Sequence, residues 1–211
     1  MTSTAQRIKN AVRARGITAL YHFTPASNLE SILENGLHSR ETLDQNNAPY
    51  TYTDEWRRDG NLDAVSVSIH GINQDMFQAK LANSRCRWMI LEIEPSILWT
   101  HYCYFCWVNA ASNEILKHRG RRDGFWGFNE MFEDVDMGHN DPRSRRGTLQ
   151  IPLNMPTWAD AEVQVFDPIA PELIRDVTSA HECDRKPAEA AMARAGREIP
   201  IAIYPDIFKL S

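Results

Sequence analysis

A carboxylate, an imidazole and a loop arginine stand in this sequence where strands could aim them into one cleft. Ala159-Asp-Ala-Glu-Val-Gln-Val-Phe166 alternates, so Asp160, Glu162 and Gln164 share one strand face while Ala161, Val163 and Val165 share the other. A carboxylate projecting from a strand beside a substrate can stabilise a developing cation or accept a proton. His22, Thr24 and Asn28 sit where the β-prone run from Leu20 to Phe23 ends at Pro25 and a helix begins. Unpaired backbone N–H groups at such a junction can receive an anionic or ribose-bearing ligand. Arg57 and Arg58 precede the strand Ala64-Val-Ser-Val-Ser-Ile69, and an arginine launched from a strand edge can hold a pyrophosphate through two parallel hydrogen bonds. Each has a plainer reading: a satisfied half-buried histidine, solvated loop charges, an exposed strand glutamate.

The elements that must position these groups follow from local pattern. Residues 4–15 suit an amphipathic helix ended by Gly16. Ser27 with Glu30 three residues on reads as a capping box, Leu29, Ile32 and Leu33 as the buried stripe, and Asn35-Gly36 as the stop. Residues 37–61 read as a long surface loop of the kind that forms lids. Residues 64–69 have a buried face and a wet one. Residues 87–93 form a core strand broken by Pro95, and 102–108 are an aromatic run. Asn109-Ala-Ala-Ser112 opens another helix, through Glu114, Ile115 and Leu116. Residues 148–152 predict a short strand, 168–177 a turn and short helix, 184–197 a surface helix and 199–204 a last strand.

Composition sets outer limits. At 211 residues the chain has room for one substantial core, so a single domain over 1–211 is expected. The formal net charge of −5 argues against a blanket basic surface for duplex DNA, so nucleic-acid contacts would come from local patches. No apolar stretch is long enough to cross a bilayer and the N-terminus lacks the apolar centre of a signal peptide, which places the expected site of action in the cytoplasm, away from membranes. Four cysteines are too few for a disulfide scaffold, and Cys103 and Cys106 lack the second pair that a structural zinc site needs; buried thiols are expected. Between Lys117 and Arg146, basic residues interleave with Phe125, Trp126 and Phe128, a pattern suited to single strands, whose bases offer faces to stack on. Asp123, Glu130, Glu133, Asp134, Asp136 and Asp141 interrupt it, so a solvated, self-paired loop competes with that reading.

Four segments taken in order sharpen this picture: Tyr21-His-Phe-Thr with Asn28-Leu-Glu-Ser-Ile and Gly36; Trp56 to Ile69 leading to Asn73 and Met76-Phe77; Trp88 to Leu98 with Asn109-Ala-Ala-Ser112; and Ala159 to Phe166. The set resembles the DarT family of ADP-ribosyltransferase toxins, which move ADP-ribose from NAD onto a base in single-stranded DNA. The resemblance implies an α+β transferase fold, two packed antiparallel sheets around an NAD cleft with flanking helices. It implies Glu162 as the catalytic carboxylate, His22 on the adenosine ribose, Thr24 and Asn28 positioning the dinucleotide, and Arg58, preferred over Arg57 and Arg40, on the phosphates and the acceptor. Arg121, Arg122, Trp126, Arg145, Arg146 and Trp158 become the expected DNA contacts.

The same resemblance implies NAD as co-substrate with no metal, thymine as the acceptor in a short sequence motif, with guanine the acceptor among some relatives, and a DarG-like macrodomain antitoxin as partner. The family usually has glutamine where this chain has Asp160, which puts in doubt how the acceptor is read. Competing functions are an NAD glycohydrolase, a transferase acting on RNA or protein, and a catalytically inactive nucleic-acid-binding module on the same scaffold.

Overall fold

The computed structural model describes residues 2–52, 59–83, 85–138 and 141–208; Arg57 and Arg58 lie outside them. The chain opens with α1 (Thr4–Arg15), capped by the Ser3 hydroxyl and stopped by Gly16 at φ +69°. β1 (Leu20–Pro25) passes through a single 3-10 turn, Ala26–Asn28, into α2 (Leu29–Asn35), with α3 (Arg40–Gln45) and β2 (Val65–Ile69) following. Next come α4 (Gln74–Asn83), β3 (Trp88–Ile93), α5 (Ile97–Thr100), β4 (Cys103–Cys106), α6 (Asn113–Lys117) and α7 (Gly124–Glu130). A small hairpin, β5 (Asp136–Gly138) and β6 (Asp141–Ser144), leads into α8 (Arg145–Thr148). β7 (Glu162–Val165), β8 (Ile174–Ser179), α9 (Arg185–Arg194) and β9 (Ile201–Ile203) complete the fold.

The large sheet among the described residues has the order β4-β7-β2-β1-β3-β8-β9. β1 pairs with β3 from Leu20↔Ile93 to Pro25↔Trp88, but with β2 only at Leu20↔Ile69 and Tyr21↔Ser68. Beyond that short seam the two strands part. The sheet therefore works as two antiparallel halves, β2-β7-β4 and β1-β3-β8, with β9 added in parallel to β8. The expected pair of antiparallel sheets takes this form, and the opening between the halves is the cleft.

One face of the sheet buries Leu20, Val67, Leu91, Ile93, Phe105, Val163 and Val165 against Ile8 and Val12 of α1 and Phe128 of α7. On the other face Phe77 of α4 packs with Phe23 and Trp88, at ring separations of 5.0 and 6.0 Å. Apolar area removed from water in these two clusters is the main force holding the strands in register. Cys103 and Cys106 are free, buried thiols, and no group of three or more candidate metal ligands occurs among the described residues. No described helix is long and apolar enough to cross a membrane.

Several local expectations give way. The Ser27–Glu30 capping box does not form, because Ser27 donates to the Thr51 hydroxyl at 2.9 Å and Glu30 pairs with Arg194. The loop expected over 37–61 contains α3, capped by Ser39. Over 148–152, expected as a strand, Thr148 ends the single turn of α8 and the residues after it form no strand, with Gln150 at φ +52°. Residues 168–177 hold one 3-10 turn and then β8, a strand whose Ile174 and Val177 fill the core. The helix expected on the surface over 184–197 buries Ala188, Ala191 and Met192.

Candidate active site

Glu162 is the first residue of β7, with Cys106 of β4 opposite it in register. Its Oε1 accepts from the Ser66 hydroxyl, and its Oε2 from the Ala110 N–H at 3.1 Å and the Asn109 side-chain amide at 3.4 Å. Three donors from two separate segments hold the carboxylate in one orientation. The Asn109 N–H donates to Asp160 at 3.2 Å, and the Asn109 side-chain oxygen accepts from the Ala111 N–H at 2.9 Å, so the corner after β4 is laced to the approach of β7. Two residues further on, fully buried Gln164 donates to Asp59 at 2.6 Å and accepts from Asn61 at 2.8 Å. That pair ties the segment before β2 to the same strand. Burial, and then the charge of Glu162, push the Cys106 thiol up to about 12, so it stays protonated at neutral pH and is not a nucleophile.

His22 lies on β1 just past the seam. Its Nδ1 is 2.8 Å from the main-chain oxygen of Ser66. A carbonyl can only accept, so Nδ1 carries the hydrogen and Nε2 of the neutral ring is an acceptor, suited to a sugar hydroxyl. Thr24 is buried, and its hydroxyl accepts from the Asn28 amide at 3.1 Å. The same amide donates to the Thr51 carbonyl and accepts from the Thr51 N–H, both at 2.8 Å, pairing with the backbone as a neighbouring strand would. Thr24 and Asn28 thus build a wall of the site by fixing Thr51.

His22, Thr24, Asn28, Tyr52, Ser66 and Glu162 line one cavity of about 350 Å³, within the size range of small-molecule sites. Arg40 and Lys80 bring positive charge to its lining, Arg40 with its guanidinium 4.8 Å from the Tyr52 ring. His22, Thr24, Asn28 and Glu162, all expected from the sequence, meet here. Ser66, Thr51 and Tyr52 line the same cavity and were not expected. The hydroxyl face of 64–69 was a signal for Ser66; nothing local pointed to Thr51.

The expected DNA contacts divide. Arg121 is exposed but doubly bonded to Asp123, at 2.8 and 2.9 Å. Arg122 lies over the Tyr104 ring at 4.8 Å, and Trp126 stands on α7 with 72% of its surface exposed, enough to receive a base. Arg145 covers the Trp158 ring at 4.0 Å. Arg146 is committed to the turn that follows it, donating to the carbonyls of Pro152 and Met155 and to the Thr157 hydroxyl at 2.7–3.0 Å. Phe128, part of the aromatic pattern, is core.

Against known proteins, residues 21–209 match the family model described as ssDNA thymidine ADP-ribosyltransferase, DarT. No curated protein sequence matches the chain significantly. Among solved structures, the fold is similar to Thermus sp. 2.9 DarT in complex with ADP-ribosylated ssDNA, at TM-score 0.62 and 14% identity over 92% of this chain and 97% of that one. The same Thermus protein in complex with NAD+ gives TM-score 0.58 and 13% identity over 91% and 98%. Thermosipho africanus DarTG in complex with ADP-ribose gives 0.56 and 14% over 90% of this chain, which spans only 51% of the length of that one.

Proposed function

Because the chain belongs to the DarT family of single-stranded-DNA thymidine ADP-ribosyltransferases, we propose that it transfers ADP-ribose from NAD to a thymine base in single-stranded DNA. The observation that carries this reading is the convergence of His22, Ser66 and Glu162 where the two halves of the sheet part. The cavity beside them is large enough for part of a dinucleotide, has an imidazole acceptor for a ribose hydroxyl, and has Arg40 and Lys80 in its lining for phosphate oxygens. Arg58 is the arginine assigned to the phosphates and the acceptor by this reading, with Arg40 the described arginine nearest that role.

NAD supplies a ribose carbon whose bond to the pyridinium breaks to release neutral nicotinamide, which places positive charge on the sugar. Glu162 puts a fixed negative charge next to that sugar, so its contribution grows as the charge develops. Ser66, Ala110 and Asn109 keep the carboxylate from turning away. The same carboxylate takes the proton from the base nitrogen as the new bond forms. Asp160, with one oxygen engaged by the Asn109 N–H, stands on the approach to Glu162 where the acceptor base would arrive.

In the cell this activity would act in the cytoplasm as a toxin, with a DarG-like macrodomain as the partner that removes the modification. The test is incubation of the purified protein with NAD and single-stranded oligonucleotides of varied sequence, followed by mass measurement. One added ADP-ribose on thymine-containing strands, restricted to certain contexts, is expected. Nicotinamide release without modified DNA would point to a glycohydrolase or another acceptor, and no turnover at all to a binding module.

A further inference from the structure

Three exposed or half-buried rings lie outside the cleft. Tyr102, Tyr104 and Phe166 pack against one another at centroid separations of 4.7–5.5 Å, Tyr104 on β4, Tyr102 just before it and Phe166 just past the end of β7. Strand parity puts them on the same sheet face as the catalytic carboxylate: Cys106 stands opposite Glu162 and Tyr104 opposite Gln164, and Tyr102 and Phe166 continue the two alternations. The core face of these strands is already filled by Cys103, Phe105, Val163 and Val165, so the rings are not needed there. Tyr102 keeps 50% of its surface exposed at the entry to the edge strand β4. Arg122 joins the rings to the site, with its guanidinium over Tyr104 and 4.0 Å from the Cys106 sulfur.

We propose that Tyr102, Tyr104 and Phe166, with Arg122, form a stacking platform for the nucleotides that flank the modified base. This rests on the functional reading above and extends it from the cleft to the track of the strand. From Cys106 back to Tyr102, through β4 and the residue before it, extended chain spans about 13 Å, which matches a short stretch of flanking nucleotides. Aromatic faces accept any base and a nearby guanidinium meets the phosphates between them, so the platform contributes affinity for single strands without reading sequence. Duplex DNA, with its bases already stacked inward, gains nothing from it.

The test compares oligonucleotides that carry the modified thymine with and without extensions of a few nucleotides on either side. For the unaltered protein, extension on one side is expected to lower KM about tenfold at unchanged kcat. Tyr102→Ala should lose that advantage, and Tyr102→Phe should keep it. Abasic extensions, which retain the phosphates, should lose it with the unaltered protein, a measurement that requires no variant to fold. A length-independent KM, an advantage that survives Tyr102→Ala, or an advantage retained by abasic extensions would each overturn the platform. Failure of the unaltered protein to modify any oligonucleotide would instead remove the functional reading on which the platform rests.

Discussion

The His22 ring donates from Nδ1 to the main-chain oxygen of Ser66 across 2.8 Å, bridging β1 and β2 just where their own pairing ends. The Ser66 hydroxyl donates in turn to Glu162. One residue therefore connects the group suited to a sugar hydroxyl with the carboxylate assigned to the chemistry, using its backbone for one and its side chain for the other.

That division makes Ser66→Ala informative. The carbonyl that holds His22 remains, while Glu162 loses one of its described donors. A lost hydrogen bond to a charged group of this kind is worth roughly 1.5 kcal/mol, so kcat should fall about tenfold with KM for NAD changed less than about threefold. Steady-state kinetics would show it; a raised KM at unchanged kcat would contradict the assignment.

Asn28 makes the opposite split. Its amide holds Thr51 at both backbone groups and Thr24 at its hydroxyl. Asn28→Ala frees the wall that carries Tyr52, so KM for NAD should rise about tenfold or more while kcat falls less. Asn28→Asp should be no better, because a carboxylate then faces the Thr51 carbonyl.

Gly36 ends α2 at φ +93°, where an added Cβ would lie 2.6 Å from the Ile169 carbonyl oxygen. The same close approach lets Leu37 and Ile169 exchange backbone hydrogen bonds at 2.9 and 3.1 Å. Gly36→Ala should cost about 2 kcal/mol or more and lower Tm by roughly 5 °C, measurable by thermal melting.

Much of the candidate site was legible because its clues are local. The alternation over 159–166 has period two and no competing interpretation, so Glu162 falls on the polar face whatever the strand pairs with. His22, Thr24 and Asn28 belong to one short junction, and Gly16 and Gly36 stand where helices must stop. What was not legible depends on distant partners. Nothing near Ser66 says that β2 will pair with β7, which sets its hydroxyl against Glu162. Thr51 and Arg194 outcompeted the local capping box at Ser27 and Glu30. Phe128 shared the pattern of a stacking residue but packs against Phe105 at 5.5 Å in the core, and Arg146, an expected DNA contact, satisfies turn carbonyls.

Away from the cleft, Asp176 predicts a pH effect. Burial, and then the neighbouring charge of Glu92, raise its carboxyl above the ordinary value, partly offset by a hydrogen bond from Thr178. A raised carboxyl favours the folded state when protonated, so its stabilising contribution is complete below the unfolded value of about 3.9 and is lost as pH rises through the folded value. Asp176→Asn, which cannot ionise, should therefore have a higher Tm than the unaltered protein near neutral pH, with the gain vanishing below about pH 4. Melting curves across that range check the sign.

In the proposed reaction Glu162 supplies the charge for ADP-ribose transfer from NAD while other groups hold the dinucleotide. Glu162→Gln keeps the shape and removes the charge, and the decisive measurement pairs two readings on that one variant: transfer to a thymine-containing oligonucleotide by mass spectrometry, and NAD affinity by calorimetry. Transfer should drop about a thousandfold with NAD affinity held within about threefold. Transfer within tenfold of the unaltered protein, or equal loss of transfer and NAD binding, would contradict the account.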